Sequence, residues 1–176
     1  MDLHERLKSI RMLALDVDGV LTDGGIYVDT DGRVTRRYNI KDGLGIKLLI
    51  AAGIKVVIIT FAKNQAILHR AKMLGIQDVY IGAADKAKVV HQICQKEEIS
   101  PQEVAYMGDD VIDMGALSIV GFPCAPADSV PAVLDCAVYI TRAPGGQGAV
   151  RELCDLILQV QRPDYLESLP AIMSHE

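Results

Sequence analysis

Three short apolar runs in this chain stop abruptly on polar residues. Met12 to Leu15 ends at Asp16, Ile54 to Ile59 at Thr60, and Val104 to Met107 at Gly108-Asp109-Asp110. Short apolar runs bounded in this way predict strands buried on both faces, as in parallel sheets covered by helices. Helical patterns fall between and after them: residues 43–52 stopped by Gly53, 63–74 stopped by Gly75, 84–98 with Lys86 near the start, 111–119, and an amphipathic stretch over 149–161. Val79 to Ile81, Phe122 to Ala125 and Val138 to Ile140 read as further strands, with a short helical segment near 129–135. Alternating strands and helices predict an α/β fold with a doubly wound parallel sheet, in which ligands sit beyond the carboxyl ends of the strands. Residues 25–38 alternate around Asp29-Thr30-Asp31-Gly32, which predicts a β-hairpin.

The 176 residues suffice for one domain, with its core over about 11–161 and a weakly ordered tail over 162–176. Half of the residues are hydrophobic and Trp is absent, so Ile, Leu, Val and Ala must build the core. A net charge of -5 argues against a nucleic-acid partner. The one basic run, Arg33 to Arg37, reads as a solvated strand edge. Cys94, Cys124, Cys136 and Cys154 form no CxxC pair and read as reduced, small core hydrophobes. Met1 to Arg11 lacks the apolar stretch of a secretory signal, and no run approaches the roughly 20 apolar residues that span a bilayer. These features predict a cytoplasmic protein without a membrane partner.

The strand ends bring chemistry together. They deliver Asp16 and Asp18, then Thr60, then Asp109, Asp110 and Asp113, while Lys86 begins an intervening helix. Acids crowded at one sheet edge raise each other's pKa unless a divalent cation binds among them, and an oxygen-rich set suits Mg²⁺. Individually, such acids also serve as helix caps, and Asp110 is placed for that. Phosphoryl transfer needs an in-line nucleophile, charge neutralisation and a proton for the leaving oxygen. A carboxylate can take the phosphoryl group covalently, and a second acid two residues on can share its cleft as general acid and base. The Thr60 hydroxyl and Lys86 ammonium can hold phosphoryl oxygens.

Asp16-Val17-Asp18-Gly19-Val20-Leu21-Thr22 resembles the first motif of the haloacid dehalogenase superfamily, Thr60 its second, Lys86 its third, and Gly108-Asp109-Asp110-Val111-Ile112-Asp113 its fourth. The resemblance implies a Rossmann-like core with Asp16 as nucleophile and Asp18 as acid/base. It also implies Mg²⁺ held by Asp16, the Asp18 backbone carbonyl and Asp109, with Asp110 and Asp113 supporting from behind. Only 41 residues separate Asp18 from Thr60 and 25 separate Thr60 from Lys86, so neither gap holds a cap domain.

Residues from Met12 to Leu158 resemble the 3-deoxy-D-manno-octulosonate 8-phosphate phosphatase family. The resemblance rests on Asp18 to Gly24, Asn39-Ile40-Lys41-Asp42-Gly43, Arg70, and Gly145-Gly146-Gln147-Gly148-Ala149-Val150-Arg151-Glu152. It implies a homotetramer whose hairpins cover neighbouring sites, and a sugar acid phosphate substrate touched by Asn39, Ile40, Lys41, Asp42, Gly43, Lys47, Arg70 and Lys86. The Gly145–Gly148 segment reads either as a turn or as a site loop. The family's Gly-Arg after the second motif is replaced by Phe61-Ala62, which removes a cationic fork; adjacent Lys63 is a partial substitute. That departure leaves open a nine-carbon, sialic-acid-type phosphate as substrate. A phospho-acceptor signalling domain also uses an acid cluster, Thr and Lys, but has no general acid at the position of Asp18. A binding module without activity is disfavoured because every catalytic residue is present.

Overall fold

The computed structural model describes residues 2–167. Its central sheet contains six parallel strands: β1 (Met12–Leu15), β4 (Lys55–Thr60), β5 (Asp78–Ile81), β6 (Val104–Met107), β7 (Phe122–Ala125) and β8 (Tyr139–Ile140). Their spatial order is β5-β4-β1-β6-β7-β8. The chain runs outward from β1 through β4 to β5, then crosses back to β6 on the other side of β1. This reversal opens a crevice at the carboxyl end of β1, flanked by the ends of β4 and β6. Met12 to Leu15 pair in register with Lys55 to Ile58 on one side and Val104 to Met107 on the other.

Strand alternation sorts the core into two layers. Leu13 and Leu15 face a cluster with residues of α1 (Leu3–Ser9), α2 (Ile40–Ala51), α3 (Gln65–Leu74) and α7 (Ala149–Gln161). Met12 and Ala14 face the opposite cluster, containing residues of α4 (Lys86–Glu97), α5 (Met114–Leu117) and α6 (Pro131–Cys136). Helices on both faces explain why the strand runs are apolar throughout. Within α2, Gly45 lets that helix approach α7: a Cβ there would lie 3.0 Å from Arg151 Cδ and 3.1 Å from Cys154 Cβ.

The hairpin forms as β2 (Tyr27–Val28) and β3 (Val34–Thr35), with Tyr27 opposite Thr35. Asp29 Oδ1 closes its tip by accepting from Asp31 N at 2.9 Å and Arg33 N at 2.8 Å, while Gly32 takes the left-handed turn position. Its strands are shorter than the alternating sequence suggests, and Ile26, Tyr27, Val28 and Val34 are all exposed.

Several boundaries differ from expectation. Helix α2 begins at Ile40 instead of residue 43, because Asn39 caps it by accepting from Lys41 N at 2.8 Å. The segment 111–119 divides into a 3₁₀ turn over Val111–Asp113 followed by α5. Cys94, Cys124 and Cys154 are buried and free as expected, but Cys136 is exposed at the end of a short helix. Of the tail, Tyr165 is buried and its hydroxyl donates to Asp155 at 3.3 Å; residues 168–176 lie outside the described residues. No helix among the described residues is long and apolar enough to cross a membrane.

Candidate active site

Asp16 directly follows β1, and its amide extends the parallel pairing by donating to Met107 O at 3.1 Å. The chain then wraps over Val17: the amides of Val20, Leu21 and Thr22 all donate to its carbonyl. Val17, Val20 and Leu21 are buried and anchor this loop, so the carboxyls on either side of Val17 are free to face the crevice. Gly19 adopts a φ of 78° because the Asp109 carboxylate occupies the space a Cβ would need.

Asp16 is buried, and Lys86 Nζ donates to its Oδ2 at 2.9 Å. Its Oδ1 is equally buried and has no hydrogen-bond partner. Lys86 starts α4 at the edge of the crevice, is 2% exposed, and also donates to Asp113 Oδ1 at 2.6 Å. Asp113 is fully engaged: Oδ1 additionally accepts from the Tyr106 hydroxyl at 2.7 Å, and Oδ2 accepts from the amides of Asp109 at 3.1 Å and Asp110 at 3.3 Å. Its oxygens are therefore committed to fixing the β6 loop and Lys86. Asp110 is exposed and caps the following turn by accepting from Val111 N at 2.6 Å. Thr60 is buried at the end of β4, where its hydroxyl accepts from Ala62 N at 3.2 Å.

One carboxylate oxygen from each of Asp16, Asp109 and Asp113 lies within 4.8 Å of the others. Burial, followed by the charge of Asp113, raises Asp16 to about 6 against the pull of Lys86. Burial and then the charges of Asp16, Asp113 and Asp110 raise Asp109 to about 7. Two carboxylates held above their ordinary range side by side, Asp16 and Asp109, fit a hard divalent cation, which would favour their ionised forms. Asp16 and Asp109 have oxygens to offer such an ion, and Asp113 has none to spare.

The crevice has a volume of about 420 Å³ and is lined by Asp16, Asp18, Gly19, Gly24, Arg36, Thr60, Phe61, Ala62, Asp109, Asp110 and Ile112. Phe61 and Ile112 are exposed, so the mouth is open and apolar. Arg36 is the residue that sequence reasoning missed. The basic run was expected to be solvated, and Arg33 and Arg37 do form exposed pairs with Asp31 and Asp23. Arg36, however, turns inward with its side chain 10% exposed, and its Nε donates to Asp18 Oδ1 at 2.5 Å and its Nη2 to Oδ2 at 3.2 Å. No local signal distinguishes it from its basic neighbours; the hairpin's fold-back makes the contact.

Asn39, Ile40, Lys41, Asp42, Gly43, Lys47 and Arg70 are not among the lining of this crevice. Asn39 Nδ2 donates to Gly146 O at 3.2 Å, and Asp42 Oδ1 accepts from Arg151 N at 2.8 Å at the start of α7. Arg70 lies with its guanidinium carbon 5.7 Å from the Tyr38 ring centroid and donates through Nη2 to Asn39 O at 3.3 Å. Ile40 and Lys41 are exposed, and Lys47 is half-buried on α2. The glycine loop braces the loop that follows Asp16 directly. Gly146 N donates to Val20 O at 2.9 Å, and a Cβ on Gly145 would collide with the Gly19 carbonyl. Lys63, expected as a partial substitute for the missing arginine, lays its stem against Gly82 and is not among the lining.

A buried aspartate directly after β1, a threonine at the end of β4, a buried lysine and an acidic loop after β6, on this strand order, define a haloacid dehalogenase-like hydrolase. The haloacid dehalogenase-like hydrolase family matches residues 71–153. The chain is 44% identical to the 3-deoxy-D-manno-octulosonate 8-phosphate phosphatase of Yersinia pestis, over 91% of this chain and 86% of that one. The Escherichia coli K12 enzyme of the same name is 42% identical, over 91% and 85%. A crystal structure of the Moraxella catarrhalis phosphatase, in complex with a magnesium ion, a phosphate ion and a KDO molecule, superposes with a TM-score of 0.88 at 34% identity, covering 98% of this chain and 96% of that one. The chain belongs to the 3-deoxy-D-manno-octulosonate 8-phosphate phosphatase family.

Proposed function

We propose that this chain is a Mg²⁺-dependent phosphomonoesterase that hydrolyses 3-deoxy-D-manno-octulosonate 8-phosphate to 3-deoxy-D-manno-octulosonate and phosphate, in the synthesis of the lipopolysaccharide sugar. The observation that carries the reading is Asp16. One of its oxygens is held by Lys86, and the other is buried and free to attack. Its Oδ1 forms a bond to phosphorus as the bond from phosphorus to the sugar oxygen breaks, and Asp18 gives that oxygen a proton. Asp18 then takes a proton from water, whose oxygen displaces Oδ1 and releases phosphate. Lys86 keeps the nucleophile oriented, and the Thr60 hydroxyl holds a phosphoryl oxygen. Asp113 holds Lys86 and the β6 loop in place, with Asp110 capping the turn between them. Asp16, the Asp18 carbonyl and Asp109 would hold Mg²⁺, which would supply charge neutralisation for the transferring group.

The protein acts as a single capless domain. Its open mouth and the exposed apolar hairpin support a homotetramer in which one protomer's hairpin covers the next protomer's site. Four free cysteines fit the reducing cytoplasm. Asn39 to Gly43, Lys47 and Arg70 complete the sugar subsite in that assembly, either by contact or by holding the glycine loop. Ala62 on the lining offers no side-chain donor, which favours a nine-carbon sugar acid phosphate as the second reading. Phosphate release from a panel of eight- and nine-carbon sugar acid phosphates, with and without Mg²⁺, tests both. Preference for the nine-carbon ester refutes the first reading, and undiminished turnover in chelator refutes the metal.

A further inference from the structure

Five side-chain atoms among the described residues are buried without a hydrogen-bond partner: Asp16 Oδ1, Arg36 Nη1, Tyr38 Oη, Asp42 Oδ2 and Arg70 Nε. The first is the nucleophile. The second belongs to the same crevice, and a buried guanidinium N–H left unpaired is costly unless something binds to it. Arg36 is the sole cation on the crevice lining among the described residues, against the four carboxylates of Asp16, Asp18, Asp109 and Asp110. Lys86 lies beneath, committed to Asp16 and Asp113. An ester whose leaving group carries its own carboxylate would meet only repulsion along that lining unless a fixed cation received it.

We propose that Arg36 is a specificity-determining residue that binds the carboxylate of the sugar acid. This rests on the sugar acid phosphate reading above. A guanidinium is planar with separate donor edges, so one arginine can bridge two anions. In Arg36 the Nε/Nη2 edge holds Asp18, the proposed acid/base group, and Nη1 remains for the substrate. Both anions would thereby be fixed on one rigid plane at the crevice that Arg36 and Asp18 line. Arg36 thus does what an arginine at position 62 would otherwise do, from the returning limb of the hairpin instead of the end of β4. The single-residue change to Ala62 and the inward turn of Arg36 become one arrangement.

The test is steady-state kinetics of the wild type, Arg36→Gln and Arg36→Lys on three esters: 3-deoxy-D-manno-octulosonate 8-phosphate, arabinose 5-phosphate as a sugar phosphate lacking the carboxylate, and an aryl phosphate. Thermal melting confirms that each variant is folded. Both losses through Asp18 and losses through the substrate are expected, and the ratio between esters separates them. Arg36→Gln should lower kcat/KM for the carboxylated ester about 10- to 100-fold more than for arabinose 5-phosphate, mostly through KM. Arg36→Lys should recover part of that ratio, because it restores the charge without the fork. Equal losses on all three esters would reduce Arg36 to a positioning residue for Asp18 and overturn the proposal, as would no loss on any. A wild-type enzyme with no preference for the carboxylated ester refutes the substrate reading, and the role of Arg36 with it, before any variant is compared.

Discussion

At the level of single residues, the proposed reactivity rests on unequal treatment of the two Asp16 oxygens. Oδ2 is held by a lysine that Asp113 holds in turn, and Oδ1 is kept bare. Asp113 is itself fixed by the Tyr106 hydroxyl and two backbone amides, so the position of the Asp16 carboxylate is set through a chain of hydrogen bonds. Asp16→Asn is nearly isosteric but replaces the attacking carboxylate with an amide. It should leave melting behaviour close to wild type and reduce kcat by about 1000-fold or more. Retention of a tenth of the wild-type rate in a phosphate-release assay would rule out covalent catalysis by this residue.

At the level of elements, the site depends on two connections that are not strands of the sheet. The glycine loop before α7 lies on the nucleophile loop so closely that the Gly145 Cα faces the Gly19 carbonyl. Gly145→Ala must displace one loop or the other. We expect a loss of about 1–3 kcal/mol in stability, measured by denaturant unfolding, together with a fall in kcat that a remote destabilising substitution would not produce. The hairpin is the second connection. Two residue pairs between two short strands are marginally stable alone, and the apolar side chains of the hairpin are exposed, which supports the proposed covering by a neighbour. Excising the tip over residues 29–33 should yield a smaller species by native mass measurement. It should also raise KM for the sugar acid phosphate well above any change for an aryl phosphate. An unchanged mass in the excised variant would refute the hairpin-mediated assembly.

Across the whole molecule, the acid cluster links folding to the cation and to pH. Asp16 and Asp109 are raised in the fold to about 6 and about 7, from the ordinary 3.8 of the unfolded chain. A raised carboxyl favours folding when protonated, so this contribution is intact below about pH 4 and lost as pH climbs through about 7. Mg²⁺ held by the ionised pair, as proposed, would reverse that loss. The metal-free protein should therefore melt lower as pH rises across this window. Saturating Mg²⁺ should raise its melting temperature by roughly 5–10 °C near pH 7.5 and by much less near pH 5. A Mg²⁺ effect of the same size at both values would show that these carboxyls do not hold the ion.

The strands that carry Asp16, Thr60 and Asp109, and the lysine at the head of α4, follow from local signals: apolar runs, their abrupt ends, and glycine stops. These need only the period of the backbone and the burial of both sheet faces, which neighbouring residues encode. The sequence alone therefore determined the strands of the sheet, the helices that cover it over α2 to α4 and α7, and the placing of Asp16, Asp18, Thr60 and Asp109 at the crevice. The start of α2 was shifted because the side chain of Asn39, not the apolar pattern, decides where that helix begins. Only the tertiary structure decided that Arg36, and not Arg33 or Arg37, meets an acid 18 residues away, that Asp113 spends its oxygens on Lys86, Tyr106 and two amides, and that Asn39 and Asp42 tie the start of α2 to the glycine loop and to the head of α7. Each of these depends on which polar group reaches a desolvated partner across the fold. That choice is made by the packing of whole elements and leaves no trace in residue spacing.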